Sequence, residues 1–417
     1  MSHSFSDLRK AVIDVGLCTG CGTCAGVCNN RSIAMTRRQG EPEPELVAQC
    51  QSCGGCWTVC PGGVIPLGEL EEWLYGVRRE ASSHSYDMGV YRSVGRGHAT
   101  DNAIRRAGTS GGIVTAILNC ALEHGVIDTA LVTGFDKSDP YHTQPYLANR
   151  GQIAFFAQSK YAMTAVNELL GTVAQSSHIR KVGVVGCPCH IHGIRKLQQS
   201  QVRPDISEKI AFAIGLFCAT QFYFEGTRHL LLEECGLQAL SDVRTIQYRG
   251  GEWPGHFIVS SVAGDERVVD RHHYVYHFLL PNYRRDRFMM CLDWSSEVSD
   301  VSVGDYGPVK EEGESQSGES TFIVRSRRGE ELMRMAEELG YIRTVPLEME
   351  HILGSPGYEI KKHSAGHRWS QRRMYGWPVP DYQYTPKWEP LRRDTYFLPE
   401  RIRKPDKYGP ILELYGG

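Results

Sequence analysis

Cys18-Thr-Gly-Cys21-Gly-Thr-Cys24-Ala-Gly-Val-Cys28 and Cys50-Gln-Ser-Cys53-Gly-Gly-Cys56-Trp-Thr-Val-Cys60-Pro61 decide the reading of the N-terminal part of the chain. Both follow the spacing C-x2-C-x2-C-x3-C, and this duplication is the one internal repeat in the sequence. Three thiols at i, i+3 and i+6 need a loop that wraps a compact group. The residues between them are accordingly small: Thr19-Gly20, Gly22-Thr23 and Gly54-Gly55. Glycine lets the backbone turn tightly, so that amide N–H groups can approach the enclosed sulfurs. Zinc ribbons use paired C-x2-C knuckles rather than three cysteines at period three followed by a fourth.

The repeat is the pattern of bacterial two-cluster ferredoxins, in which the fourth cysteine of each run ligates the other 4Fe–4S cluster. By that rule one cluster takes Cys18, Cys21, Cys24 and Cys60, and the second takes Cys50, Cys53, Cys56 and Cys28. Pro61 follows Cys60 and turns the chain away, whereas Asn29 follows Cys28, a departure at the first exit. Two such clusters make a wire for electrons.

Fourteen cysteines are spread over 417 residues, and eight of them fall within the first 60. The start, Met1-Ser-His-Ser-Phe-Ser-Asp, lacks the charged and apolar regions of a signal peptide. The longest apolar run, Ala211–Ala219, has the length of a buried strand rather than a membrane span. The expected compartment is therefore the cytoplasm, where thiols stay reduced and disulfides are disfavoured. A hydrophobic share of 41% and a charged share of 23% fit a globular protein of two or three domains. The net charge is −2, which gives no ground for a nucleic-acid partner. Residues 361–417 carry 12 Lys and Arg against 6 Asp and Glu, so a basic, aromatic tail follows an acidic body. Such a tail can grip an anion or an acidic partner, but more often packs against its own body.

Beyond the repeat, Glu69–Glu80 reads as a charged helix and Ser82–Ser85 as a linker. Gly111–Glu123 has helical spacing and opens after Thr109-Ser110, a cap pair. Ile127–Val132 and Lys181–Val185 read as buried strands. Gly329–Gly340 reads as an amphipathic helix, and Glu311–Glu319 as a mobile loop. This alternation predicts a mixed α/β domain. No G-x-G-x-x-G follows a strand, so a Rossmann dinucleotide fold is disfavoured. The expected organisation is a ferredoxin-like module (1–68), a linker (69–95), the α/β domain (96–345) and the C-terminal extension (346–417).

An ordered series of motifs runs through the α/β part. It comprises Arg105-x-x-Gly108-Thr-Ser-Gly-Gly-Ile-Val-Thr115, Ser159-Lys160-Tyr161, Gly186-Cys187-Pro188-Cys189-His190 and Gly193-Ile-Arg-Lys196. Gly215-Leu-Phe-Cys218, Tyr248-Arg-Gly250 with Trp253-Pro-Gly255, and Cys291-x-Asp293 through Ser302-Val-Gly-Asp305 complete it. From about residue 10 to about 345 the chain resembles the beta-subunit family of coenzyme F420 hydrogenases and dehydrogenases. That resemblance implies an FAD in the α/β domain, a third 4Fe–4S cluster beside it, and electron exchange with an external two-electron partner such as coenzyme F420. The one-electron partner would be ferredoxin or a partner redox subunit, and self-association stays open.

On this reading Arg105, Thr109, Ser110, Gly111, Gly112, Thr115, Ser159, Lys160, Tyr161, Gly186, Pro188 and His190 line the flavin site. Free N–H groups at the Thr-Ser-Gly-Gly helix start suit an anion or a flavin edge. Arg105 and Lys160 supply positive charge for the pyrophosphate or the reduced ring, and His190 and Lys160 are the catalytic candidates. His192 shares the His190 loop. The family draws cluster ligands from positions matching Cys189, Cys218 and a C-x-x-C-x-D run. Here that run reads Phe288-Met-Met-Cys291-Leu-Asp293, so one thiolate is missing. The proposed set is Cys187, Cys189, Cys218 and Cys291; the alternative makes Cys187 a small buried residue, with the cluster absent or otherwise held. Cys120 and Cys235 fall on apolar helical stripes and read as core. The rival functions are a non-catalytic electron-relay subunit of a larger redox complex, a reductase of another conjugated substrate, and a redox sensor.

Overall fold

The computed structural model describes residues 3–80, 83, 85–309, 317–354 and 356–384. Thirteen strands among them form three sheets. In chain order they are β1 (Ile33–Arg38), β2 (Glu41–Leu46), β3 (Ser93–Ala99), β4 (Thr129–Phe135), β5 (Thr143–Ala148), β6 (Val182–Gly186) and β7 (Ile210–Leu216). Next come β8 (Val243–Gly250), β9 (His256–Ser261), β10 (Glu266–Val269), β11 (Val301–Val309), β12 (Ser317–Val324) and β13 (Ile342–Pro346).

The main sheet has the order β13-β3-β12-β11-β7-β6-β4-β5. Its centre, β11-β7-β6-β4, is parallel, and both flanks are antiparallel. Parallel strands are covered on both faces, which is why β6 is buried at every position and reads as a continuous apolar run. The helices Ile113–Glu123 and Arg327–Glu338 share one core with the sheet, and Ile194 and Leu197 of the helix Pro188–Ser200 pack in another. A separate sheet, β10-β9-β8, packs its apolar face with Tyr274 and Phe278 into a satellite core. The mixed α/β class is thus observed.

Local expectations hold with shifts that have physical causes. The charged helix spans Leu67–Tyr75 and stops at Gly76, whose φ of 74° is left-handed. Beyond it the chain folds back, and Arg79 pairs with Glu71 at 2.7 Å and with Glu297 at 2.8 Å. Lys362 joins the same Glu297 at 2.6 Å. All four side chains are buried, and a buried charge is tolerated only when paired in this way. Ser82 and His84 of the expected linker, residues 311–316 of the expected loop and residues 385–417 of the tail lie outside the described residues.

The helix at Ile113–Glu123 has no side-chain cap: Gly112 precedes it at φ 73°. Thr109 and Ser110 act elsewhere. Thr109 Oγ1 accepts the Ser159 N–H at 2.6 Å, and Ser110 Oγ bonds Ser320 Oγ at 3.0 Å. The strand expected at Ile127–Val132 begins at Thr129 and runs to Phe135. Cys120 and Cys235 are core residues, 0% and 5% exposed. The N-terminal module shares a core with Met290, Leu292, Val298, Ala365, Trp369 and Tyr382, so its position relative to the sheet is fixed by packing. Lys361, Lys362 and Arg372 of the basic extension are buried against the body, and Arg368 and Arg372 pair with Asp286. No helix among the described residues is long and apolar enough to cross a membrane.

Candidate metal centre

The two cysteine loops close as their spacing requires. Gly22 and Gly54 sit at φ 81° and 77°, each starting a short helix that carries the third thiol of its run. The N–H groups of Gly20, Ser52 and Gly62 donate to the sulfurs of Cys18, Cys50 and Cys60 at 3.4, 3.4 and 3.3 Å. Burial, then the neighbouring Cys60, pushes the Cys18 thiol up to about 12. Burial, then Cys50 and Cys53 and further off Cys28, does the same to Cys56. Cys60 therefore faces the first run and Cys28 the second. Cys24 is driven well above its ordinary value by burial and by Cys21, Cys60, Cys18 and Cys56, which places the two groups side by side.

A third group of thiols forms where strands of the main sheet end. Cys187 follows β6 and Cys218 lies just beyond β7, at the carboxyl edge where open α/β sheets bind ligands. Pro188 opens the helix Pro188–Ser200, which carries Cys189 on its first turn. Cys291 comes from the loop before β11, and the Cys218 N–H reaches that loop at Trp294 O, 2.8 Å away. A hydrogen bond between Cys187 and Cys218 raises the former and lowers the latter, and Gln221 Nε2 contacts Cys187 Sγ at 3.5 Å. Cys189 is pushed well up by burial and then by Cys21, Cys218 and Cys291. Cys21 belongs to the first group, so the third adjoins it.

Such thiols cannot all ionise together unless positive charge lies among them, which bound iron would supply. Among the described residues no three His, Cys, Asp or Glu side chains meet on a single ion; a cubane spreads its thiolates over four irons, so this geometry concerns single ions alone. Exposure falls along the series. In the outer group Cys53 is exposed, Cys28 and Cys50 are half-buried and Cys56 is buried. In the next, Cys18 and Cys60 are half-buried and Cys21 and Cys24 buried. In the third only Cys187 is half-buried, and Cys189, Cys218 and Cys291 are buried.

The glycine loop lies beside the third group. The segment from Ser159 to Thr164 begins at Thr109 and ends where Thr164 O accepts from His190 Nε2 at 2.8 Å. Met163 of that segment packs against Cys189. Arg105 is buried, and its Nε donates to Gly318 O at 3.3 Å. Several expected ligand contacts are here packing contacts. A Cβ at Gly111 would meet Gly97 O at 2.4 Å, and the Gly111 N–H already donates to Ser320 Oγ at 3.0 Å. A Cβ at Gly186 would strike His190 Cβ at 2.7 Å.

Both catalytic candidates have their polar atoms engaged within the protein. His190 Nδ1 accepts from the Cys187 N–H at 3.0 Å, and its Nε2 faces Thr164 O. Burial holds His190 down at about 4, and as a neutral ring it accepts at Nδ1 and keeps its proton on Nε2, which donates to Thr164 O. Lys160 Nζ donates to the carbonyls of Phe156, Ala157 and Gln158 at 2.9, 2.8 and 3.0 Å, while burial lowers it to about 7. Its donors close the turn before it. His192 is likewise committed, to Asp293 at 2.8 Å. Burial acts to raise Asp293, but His192, Lys362 and Arg325 hold it below the ordinary carboxylate range.

Residues 94–171 match the N-terminal family model of the coenzyme F420 hydrogenase/dehydrogenase beta subunit, and residues 179–350 match the C-terminal model of the same beta subunit. Together they take in more than half of the chain. The chain belongs to this beta-subunit family. Residues 10–61 match a 4Fe-4S dicluster domain, so the N-terminal module binds iron–sulfur clusters.

Among relatives, the coenzyme F420-dependent sulfite reductase of Methanocaldococcus jannaschii is 29% identical over 341 residues, 78% of this chain and 47% of the relative. The present chain thus spans about half the length of that protein. A coenzyme F420 hydrogenase beta subunit from Methanosarcina barkeri is 28% identical over 263 residues, covering 63% of this chain and 84% of the relative. A chain of the F420-reducing [NiFe] hydrogenase complex of the same organism superposes with a TM-score of 0.55 at 25% identity. That match takes in 70% of this chain and 96% of the other.

Phe288, which opens the Phe288-Met-Met-Cys291 run, is buried and packs with Cys187 and Cys189. Three residues beside the third group escaped sequence reasoning. Arg287 and Tyr382 lie against Cys291, and Lys361 bears on Cys218. For Lys361 and Tyr382 the one sequence signal was the basic, aromatic character of the tail, which says nothing of where it packs; Arg287, in the helix Asp286–Met289, carried none.

Proposed function

We propose that this beta-subunit relative is an iron–sulfur flavoprotein oxidoreductase. It would pass electrons between a one-electron carrier, ferredoxin or a partner redox subunit, and a two-electron substrate such as coenzyme F420. Three 4Fe–4S clusters would be held by Cys28, Cys50, Cys53 and Cys56, by Cys18, Cys21, Cys24 and Cys60, and by Cys187, Cys189, Cys218 and Cys291. The observation that carries the reading is the serial order of these groups, with Cys56 beside Cys24 and Cys21 beside Cys189, from exposed to buried. The names of the relatives favour coenzyme F420 as the two-electron partner.

The residues best placed to hold an FAD are Arg105, the Thr109–Gly112 loop with Thr115, and Ser159–Tyr161, which Thr109 joins to that loop. Bound there, an FAD supplies exchange between single-electron and hydride chemistry. The chain itself contributes position and charge. Backbone N–H groups donate to cluster sulfurs and favour the reduced state. Buried Arg105 brings fixed positive charge to the loop. His190 pins the Cys187–Cys189 turn to the flavin-side segment, and Lys160 holds the turn ahead of Tyr161.

A relay subunit is the second reading, favoured by the likeness to a chain of a hydrogenase complex. Stopped-flow mixing of the reduced, isolated chain with coenzyme F420, a nicotinamide or a viologen separates the two. Rapid oxidation by coenzyme F420 is expected. Oxidation by the viologen alone would favour the relay.

A further inference from the structure

The family match ends at residue 350, and the chain then continues across the third thiol group. In the helix Pro356–Met374, Lys361 Nζ donates to Ala219 O at 2.8 Å and Phe288 O at 3.2 Å, carbonyls close in sequence to Cys218 and Cys291. Trp369 Nε1 donates to Met290 O at 2.9 Å. After Trp377 the chain returns, and Asp381 bonds the backbone of Gly63 and Ile65 at 2.8 and 2.7 Å, just past Cys60-Pro61. These ties fix Tyr382. Its ring stacks on Trp369 with centroids 6.0 Å apart and meets His192 edge-on at 6.1 Å.

Tyr382 is 1% exposed, and its hydroxyl oxygen makes no hydrogen bond of good geometry among the described residues. The groups it faces are the Cys291 thiol and Arg287. Arg287, 4% exposed, donates through Nε to Leu17 O at 2.9 Å and through Nη2 to Pro61 O at 3.2 Å. Its Nη1 makes no hydrogen bond of good geometry among the described residues, and the guanidinium faces the Tyr382 hydroxyl and the sulfurs of Cys291 and Cys189. The Tyr382 hydroxyl and the Arg287 Nη1 therefore face one another and the same thiols, and neither makes a well-formed hydrogen bond among the described residues. Buried polar groups are almost always satisfied, and a metal-bound thiolate is an acceptor that a neutral thiol is not to the same degree.

We infer that Tyr382 and Arg287 are positioning residues that donate hydrogen bonds to the Cys291 and Cys189 thiolates, so that the C-terminal extension sets the reduction potential of the third cluster. This rests on the three-cluster reading above. A donor on a ligating sulfur favours the more electron-rich state, so each such bond raises the potential. No covalent bond changes; one electron arrives from the neighbouring cluster and leaves toward the flavin.

The test is an EPR-monitored redox titration of the full chain, purified anaerobically, with iron measured on the same samples. Tyr382→Phe keeps the stacked ring and removes the donor. It should retain all its iron and move one cluster to a more negative midpoint, by up to about tenfold in the reduced-to-oxidised ratio, about 59 mV for one electron. The other two midpoints should not move. Arg287→Lys, which keeps the charge and withdraws the free arm, should shift the same cluster in the same direction. Tyr384→Phe, whose hydroxyl donates to Tyr86 O at 2.7 Å, should leave every midpoint in place. Three clusters with unshifted midpoints in both Tyr382→Phe and Arg287→Lys would overturn the inference. So would an equal shift in Tyr384→Phe, which would mark a general effect of the segment. A wild-type chain with two clusters would instead remove the reading on which the inference stands.

Discussion

In a Cys53→Ser variant, turnover with ferredoxin or a viologen is expected to fall to background while the half-reaction with a reduced two-electron substrate survives. Cys53 is exposed at the outer end of the thiol series, and the glycine loop adjoins the opposite end. Damage at Cys53 removes one cubane and leaves the Cys18–Cys60 group, the third group and the α/β core with all their contacts. Electrons from a one-electron carrier must then cross the gap left by the missing cluster. A two-electron substrate meets the flavin directly, so bleaching of bound FAD by reduced coenzyme F420 should persist. Cys21 is a poorer choice for the same experiment. It contacts Thr23 at 3.1 Å and bears on Cys189, so its loss disturbs two groups at once. If both half-reactions fail while FAD stays bound, the substrate is served through the clusters and the relay reading prevails.

Cys187→Ser should release about four iron atoms per chain, one cubane's worth, and leave the two N-terminal clusters in place. The prediction turns on the exchange between positions 187 and 288. Phe288 is 3% exposed and packs against Cys187 and Cys189, so the position that lacks the expected thiolate and the residue proposed to replace it are neighbours in space. Cys120→Ser is the control: that thiol is buried in the sheet core, remote from the thiol groups, and iron should be unchanged. The double variant Cys187→Ala with Phe288→Cys restores a family-like ligand set and should regain the lost iron. Colorimetric iron and acid-labile sulfide on anaerobic samples read all four chains. Full iron in Cys187→Ser would assign Cys187 to packing.

How much of this was legible depended on the range of the contacts. The cysteine repeat was readable because its four-residue arithmetic is local, and the glycines that turn its loops lie between the ligands themselves. Strands β6 and β7 were readable as unbroken apolar runs, since a parallel strand is buried on both faces. The start of the helix at Ile113 was misplaced because Thr109 and Ser110 look like caps, whereas their partners Ser159 and Ser320 lie 50 and 210 residues away. The same reason hid the neutral state of His190. Its ring is fixed by Thr164 O, which no spacing rule connects to the Cys-Pro-Cys-His turn. Lys160 shows the opposite case: its three carbonyl partners are two to four residues away, yet positive charge beside a glycine loop suggested an anion instead. Arg287 and Tyr382 reach the third thiol group from two different elements, and Arg287 also ties it to Leu17, 270 residues off. Sequence alone offers no path to such a meeting.

The central claim is that the thiols at the carboxyl edge of the sheet carry a third cubane that continues the N-terminal wire. Iron and acid-labile sulfide per chain, measured on anaerobically purified wild-type protein, test it most directly. About 12 of each is expected, four for each of three cubanes. A firm value of about 8 would contradict it, leaving the ferredoxin-like pair alone and the thiols at Cys187, Cys189, Cys218 and Cys291 without iron.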